Sequence, residues 1–274
     1  MRFRSLLTVA VLLTALTACR SEKLDLAYSL LEGSFLNYTM TAVAEAEWNI
    51  GGKGGGSYSV EFDVTETVQS VDIDGAVVHV EMDPTNIEED GLPSPGPEDR
   101  SFTLKIGPNG QVLEVIEVDG VPAEAIDPDE LAFIGTYRPP LPLEGVTLGD
   151  SWEAEQQVNV GSVFQQVRTT GHLESLDVSA AGDLADLSYS GEGPLVWTAA
   201  LPQGDASLTG SATSRAEARL NISGGYLSRA RSSTRGDFEV RVQPAQGQAP
   251  ISGTLQLDLE LEIEEVPSEA RVLD

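Results

Sequence analysis

From Leu255 to Glu264 the chain alternates without a break, with Leu255, Leu257, Leu259, Leu261 and Ile263 on one side and Gln256, Asp258, Glu260, Glu262 and Glu264 on the other. A period of two belongs to a β-strand and to no helix, because successive strand side chains point to opposite faces. The same period returns along most of the chain. Leu36, Tyr38, Met40, Ala42, Ala44, Ala46 and Trp48 share one face of a long segment, and Tyr58, Val60, Phe62 and Val64 come back along it. Between them Gly51 to Gly56 predicts a flexible reversal; it lacks the Lys-Ser/Thr and following helix of a phosphate loop. Val71 and Ile73 run into Asp74-Gly75, a hairpin turn, and Ala76, Val78, Val80 and Met82 return. Residues 83–99 are rich in Pro, Gly and acid and predict an exposed loop. Phe102, Leu104 and Ile106 then lead through Pro108-Asn109-Gly110 to Val112, Leu113 and Val115, another hairpin.

One stretch breaks this pattern in mid-chain. Asp127-Pro128-Asp129-Glu130 is a helix start, with Asp at the N-cap, Pro in the first position and Glu placed to bond back. Leu131 and Ile134 share a face, and Gly135 can end the helix. Arg138-Pro139-Pro140-Leu141-Pro142 then favours a stiff extended path, and Gly149-Asp150 turns the chain into a strand at Trp152.

Sequence on the two sides of this junction matches in order. Gly33-Ser34-Phe35 corresponds to Gly149-Asp150-Ser151-Trp152, Gln69-Ser70-Val71-Asp72 to Glu174-Ser175-Leu176-Asp177, and Leu104-Lys105-Ile106 to Leu220-Asn221-Ile222. The expected fold is all-β: about a dozen antiparallel strands in two related halves, forming a curved half-barrel or sandwich, with one short helix at the junction. The chain divides into a signal peptide (1–18), an anchor and linker (19–23), a first β-rich repeat (24–120), the helix and Pro-rich junction (121–148), a second repeat (149–266) and a tail (267–274). Leu24, Leu26, Tyr28 and Leu30 alternate and predict a strand almost at the anchor.

The N-terminus reads as an export signal. Met-Arg-Phe-Arg precedes an apolar run from Ser5 to Ala15 that is too short for a permanent membrane span, and Leu16-Thr17-Ala18-Cys19 follows. This order resembles the lipobox of bacterial lipoproteins. The resemblance implies cleavage before Cys19, lipid on its thiol, and a cell-envelope location at the outer membrane or the outer face of the cytoplasmic membrane. Cys19 is the only cysteine, so an exported fold would be held by packing alone. Loss of residues 1–18 removes Arg2 and Arg4 and takes the formal net charge from −28 to −30. So acidic a chain argues against nucleic acid as a partner. The Pro-rich junction before Gly-Asp-Ser-Trp resembles duplicated bacterial lipoproteins of uncharacterised function. A curved sheet behind a lipobox is similar, more distantly, to the lipoprotein-localisation carriers and their mycobacterial lipid-binding relatives.

Catalytic patterns are sparse. Gly149-Asp150-Ser151 matches the nucleophile tripeptide of one esterase family, but neither His79 nor His172 has the aspartate three residues earlier which that chemistry uses, so a turn is the expected role. Asp72-Ile73-Asp74-Gly75 lacks the later ligands of a calcium loop, and Glu88-Glu89-Asp90 is a loose acidic cluster. The reading is of a non-enzyme with no cofactor or metal.

Two features remain as binding candidates. Leu208, Gly210, Ala212, Ser214, Ala216, Ala218, Leu220 and Ile222 share one strand face, and Ser228, Ala230, Ser232 and Thr234 continue it across the Gly224-Gly225 turn. Small side chains in such a row make either a close-packed core or a hollow for an apolar ligand. Arg215, Arg219, Arg229, Arg231, Arg235 and Arg241 cluster in the same region. They pair either with Asp258, Glu260 and Glu262 on a neighbouring strand or with anionic headgroups or an acidic partner. The candidate ligand residues are therefore Gly210, Ala212, Ser214, Ala216, Ala218, Ala230, Arg219, Arg229 and Arg231. The leading function is a membrane-anchored lipoprotein that binds or carries an apolar or amphipathic envelope molecule. The alternative is a non-catalytic structural or protein-interaction module with an envelope protein as partner.

Overall fold

The computed structural model describes residues 23–95, 99–126, 137–160, 163–179, 182–201, 204–244 and 249–267. Cys19 and the expected helix at 127–135 lie outside them. Thirteen strands form one antiparallel sheet: β1 (Phe35–Ile50), β2 (Lys53–Val71), β3 (Ala76–Glu89), β4 (Leu92–Pro93), β5 (Arg100–Ile106), β6 (Val112–Val118), β7 (Val121–Pro122), β8 (Ser151–Val160), β9 (Val163–Ser179), β10 (Gly182–Leu201), β11 (Gly204–Asn221), β12 (Tyr226–Pro244) and β13 (Ile251–Glu265). Their order is β7-β6-β5-β3-β2-β1-β13-β12-β11-β10-β9-β8, with β4 beside β3. Among the described residues the two halves expected from the sequence do not stand as separate sheets, and no second layer makes a sandwich. Instead β1 pairs with both β2 and β13, joining the early and late strands without a seam.

The sheet curls. Val78, Val80, Leu104 and Ile106, from β3 and β5, share one core with Leu173, Leu187 and Leu220, from β9 to β11. Two stretches without regular structure fill the space between them. One is the N-terminal segment, whose Leu26 and Tyr28 are buried; the other, residues 137–148, forms a strap holding buried Leu141 and Val146. Leu24 and Val146 exchange backbone hydrogen bonds of 2.7 and 2.9 Å. Farther along, the Tyr28 N–H donates to Pro108 O in the β5–β6 turn (2.8 Å), and the Ser29 N–H to Gly225 O in the β11–β12 turn (2.8 Å). The alternation at 24–30 thus reports burial correctly, but the segment crosses the end of the sheet and joins no ladder beyond the Leu24–Val146 bridge. Gly225 has φ +64°, and a Cβ there would stand 2.4 Å from Ser29 N, so only glycine lets the segment dock at this turn.

The strap is tied down by charge. Glu66 sits in the apolar row of β2 between Val64 and Val68 and is 1% exposed; Arg138 is 2% exposed. The Arg138 Nη2 and the Tyr137 hydroxyl both donate to the Glu66 carboxylate, and the guanidinium lies 5.7 Å from the Tyr28 ring centroid and 5.6 Å from that of Tyr137. Burial by itself would lower the guanidinium pKa, yet the Glu66 charge, with the tyrosines, holds it above the usual range. Among the described residues Arg138 Nη1 has no hydrogen-bond partner, so within them the pair is bonded on one side only.

Two other expectations change. Residues 83–89 belong to β3 and are not loop; a register shift between Glu61 and Phe62 accommodates Pro84, which has no N–H to give to the ladder. The reversal after β1 occupies only Gly51 and Gly52, because Gly54 leaves room for the Trp48 indole to lie across β2.

Burial pushes the phenols of Tyr28, Tyr38, Tyr137 and Tyr189 upward, and the negative charge of Glu66 adds to the rise in the first three. A raised folded-state pKa contributes stability that is complete below the unfolded value of about 10 and is lost as pH climbs beyond it. In an alkaline titration followed by tyrosinate absorbance, these four of the six tyrosines should ionise only as the far-UV signal collapses. Smooth ionisation of all six with the fold intact would contradict the buried core.

Candidate functional site

Cross-strand register turns the small-residue face into rows, read here from β2 across β1, β13, β12 and β11 to β10. Nearest the strap runs Phe62–Met40–Ile263–Ala230–Ala218–Leu187, and Val60–Ala42–Leu261–Ser232–Ala216–Tyr189 follows. Next come Tyr58–Ala44–Leu259–Thr234–Ser214–Gly191 and Gly56–Ala46–Leu257–Gly236–Ala212–Gly193. The last row is Gly54–Trp48–Leu255–Phe238–Gly210–Leu195.

Coverage is uneven along this series: it drops at the Leu259 row, and Gly236 and Phe238 are buried again in the two rows beyond. Ile263, Ala218 and Ala230 are buried beneath the N-terminal segment and the strap, whereas Leu259, on the same face as Ile263, is 39% exposed. The face is therefore not uniform along its length. Ala218 and Ala230 are packed core; Ser214, Ala212 and Gly210 are half-buried and floor a shallow trough, with Ala216 at the boundary. From Ala216 to Gly210 is six residues, about 20 Å of strand.

The trough is apolar for a reason beyond its composition. Of the three hydroxyls in the Leu259 row, on Tyr58, Thr234 and Ser214, two are paired with each other, since Thr234 Oγ1 donates to Ser214 Oγ at 3.0 Å. In the row beyond, three of six residues are glycine and two are alanine. At the far lip the Trp48 ring lies over Gly54 and the Phe238 ring over Gly236, so the two aromatics lie flat along the sheet. A hollow of about 870 Å³ borders this lip, lined by Trp48, Phe238 and Leu255 but also by Glu47, Asp237 and Gln256 of the opposite face. It wraps the end of the sheet and includes Gly210 alone of the candidate residues.

The arginines stand elsewhere. Arg219, Arg229 and Arg231 alternate with Ala218 and Ala230 and so project from the outer face, away from the trough. Arg219 grips Asp186 with two bonds, 2.7 and 3.2 Å, which hold the Asp186 carboxyl below its usual range. Arg231 meets Glu260 at 3.2 Å and Arg235 meets Asp258 at 3.9 Å, the cross-strand pairing expected from the sequence. Arg229 stands opposite Glu264. Arg219, Arg229 and Arg231 line a hollow of about 460 Å³ on that outer face, which Ala218 alone of the small candidate residues also borders, so the arginines and the trough do not form one site.

Register also brings Ser151 Oγ to 2.9 Å from His172 Nδ1, with His172 Nε2 3.7 Å from Glu174. Ser151, His172 and Ser188 are neighbours in one outer-face row of β8, β9 and β10, and Asp150 is engaged by the N–H and hydroxyl of Thr147 at 2.9 Å each. Exposed to water on an open strand surface, such a pair is a cross-strand hydrogen bond. Asp72 likewise accepts the N–H groups of Asp74 and Gly75 in the β2–β3 turn and pairs with Lys105 at 2.7 Å.

No family model and no curated protein matches the sequence. Among solved structures the fold is similar to lipovitellin, in a structure described for its lipid–protein interactions. The TM-score is 0.51 at 10% identity, over 87% of this chain and 26% of that one. The chain thus spans about a quarter of lipovitellin's length, and the likeness is one of fold: a curled, antiparallel all-β sheet.

Proposed function

We propose that this chain binds an apolar or amphipathic molecule along the trough, as a non-catalytic carrier or holder in the cell envelope. The observation that carries the reading is the row Gly56–Ala46–Leu257–Gly236–Ala212–Gly193, partly exposed except at Gly236 beneath the Phe238 ring, where the folded chain leaves an apolar surface with few side chains of its own to fill it. The likeness in fold to lipovitellin, whose structure is described for its lipid–protein interactions, supports a lipid as the occupant. The lipobox resemblance supports an anchor at Cys19. In that arrangement the anchor adjoins the strapped end, where Leu24 meets Val146, and the trough mouth lies one β1 length away, about 50 Å. The mouth then faces away from the membrane that holds the chain, as suits a molecule received from or passed to another carrier.

Ala212→Trp tests this. An indole in the open row has room, so the melting temperature should hold while the lipid recovered by organic extraction of protein purified from its native host falls severalfold. Ala218→Trp is the control: beneath the strap it overpacks and should cost about 1–3 kcal/mol. Absence of extractable lipid from the parent, together with no uptake of a fluorescent acyl probe, would defeat the reading.

A further inference from the structure

β8 ends the sheet, and among the described residues no other segment gives its outer side a backbone hydrogen bond. The opposite edge is managed: β7 covers the end of β6, and the Leu141 N–H donates to Asn109 O of the adjoining turn at 2.9 Å. The β8 ladder runs without a bulge from Ser151 to Val160, and the strand holds no proline or lysine to guard it. The Leu173 N–H donates to Asp150 O at 3.0 Å, which marks 150/173 as a hydrogen-bonded pair. Stepping by two makes 152/171 and 154/169 bonded as well, so the N–H and C=O groups of Ser151 and Glu153 point away from β9. A cleft of about 420 Å³ lies there, between the edge and the strap. Leu141, Leu143 and Trp152 line its apolar wall, Glu144, Asp150 and Glu153 line its rim, and Lys23 is its one cation.

We infer that the β8 edge docks an extended, cationic segment of a partner protein, which adds as a further antiparallel strand. Main-chain bonds to β8 supply affinity, and the rim carboxylates select basic side chains on the outer face while the alternate positions meet Trp152 and the exposed Leu143. A second copy of the chain is a poor occupant. Pairing β8 with β8 would set Glu153 among like charges, in a chain of net −28.

The test uses the full chain and an alternating Lys-Val decapeptide, titrated by fluorescence anisotropy, beside the same peptide N-methylated at every second residue. The plain peptide should bind and the N-methylated one should not. Glu153→Pro removes a donor that faces the cleft and none that faces β9, so it should weaken binding more than tenfold with the circular dichroism unchanged. Glu153→Ala, losing only a rim charge, should weaken it about two- to threefold. The inference is overturned if the plain peptide does not bind, or if the N-methylated peptide binds wild type as well as the plain one, since charge alone would then explain the contact. It is equally overturned if wild type sediments as a dimer that Glu153→Pro dissociates, for then the edge belongs to a second copy.

Discussion

Replacing Arg138 by methionine is expected to lower stability by about 3–5 kcal/mol, because it strands the Glu66 carboxylate in the core. That is a large part of the 5–15 kcal/mol by which a folded domain usually exceeds its unfolded state. Glu66→Leu should cost a similar amount by the converse route, leaving the guanidinium between Tyr28 and Tyr137 with no anion. The double variant should be milder than either single change, since an apolar pair of similar volume removes both desolvation penalties at once. Urea unfolding of the four proteins measures this directly. Additive losses would mean that the two side chains do not share an interaction, and the strap would then be held by buried Leu141 and Val146 and by its hydrogen bonds to Leu24, Tyr28 and Asn109.

This pair also shows where the sequence was legible and where it was not. The row Val60, Phe62, Val64, Glu66 and Val68 contains its own signal: a carboxylate at an apolar position of a period-two pattern needs a buried partner. The partner is 72 residues away in a proline-rich segment with no periodicity, so nothing local points to it. Alternation alone was enough to put Ala218 and Arg219 on opposite faces, and with it the small residues and the arginines on separate surfaces. The hairpins at Asp74-Gly75, Pro108-Asn109-Gly110 and Gly224-Gly225 were likewise readable, because each turn needs residues that tolerate its backbone. What alternation cannot report is which stretch of an apolar face is covered. That depends on where two non-repeating segments, 24–30 and 137–148, happen to cross the sheet, and each is pinned by contacts more than a hundred residues apart in sequence, such as the Tyr28 hydroxyl donating to Pro139 O at 3.0 Å.

The division between covered and uncovered face can be measured on one strand. Ile263 and Leu259 both lie on the inner face of β13, four residues apart, in what the sequence presents as one uniform apolar row. Ile263 is 1% exposed, with Met40 and Ala230 beside it beneath the strap; Leu259 is 39% exposed, between Ala44 and Thr234 in the trough. Ile263→Asp places a charge where neither water nor a cation can reach it and should cost several kcal/mol, enough to unfold much of the population. Leu259→Asp keeps its carboxylate in water and should cost no more than about 1 kcal/mol, while abolishing uptake of an acyl probe by charging the trough floor. Equal destabilisation at the two positions would mean that the face is packed along its whole length, and the trough would not exist in solution. Small effects at both would mean that the strap does not close its end of the sheet. Only the unequal pair, with binding lost where stability is kept, agrees with an apolar face filled at one end by the chain itself and left bare at the other.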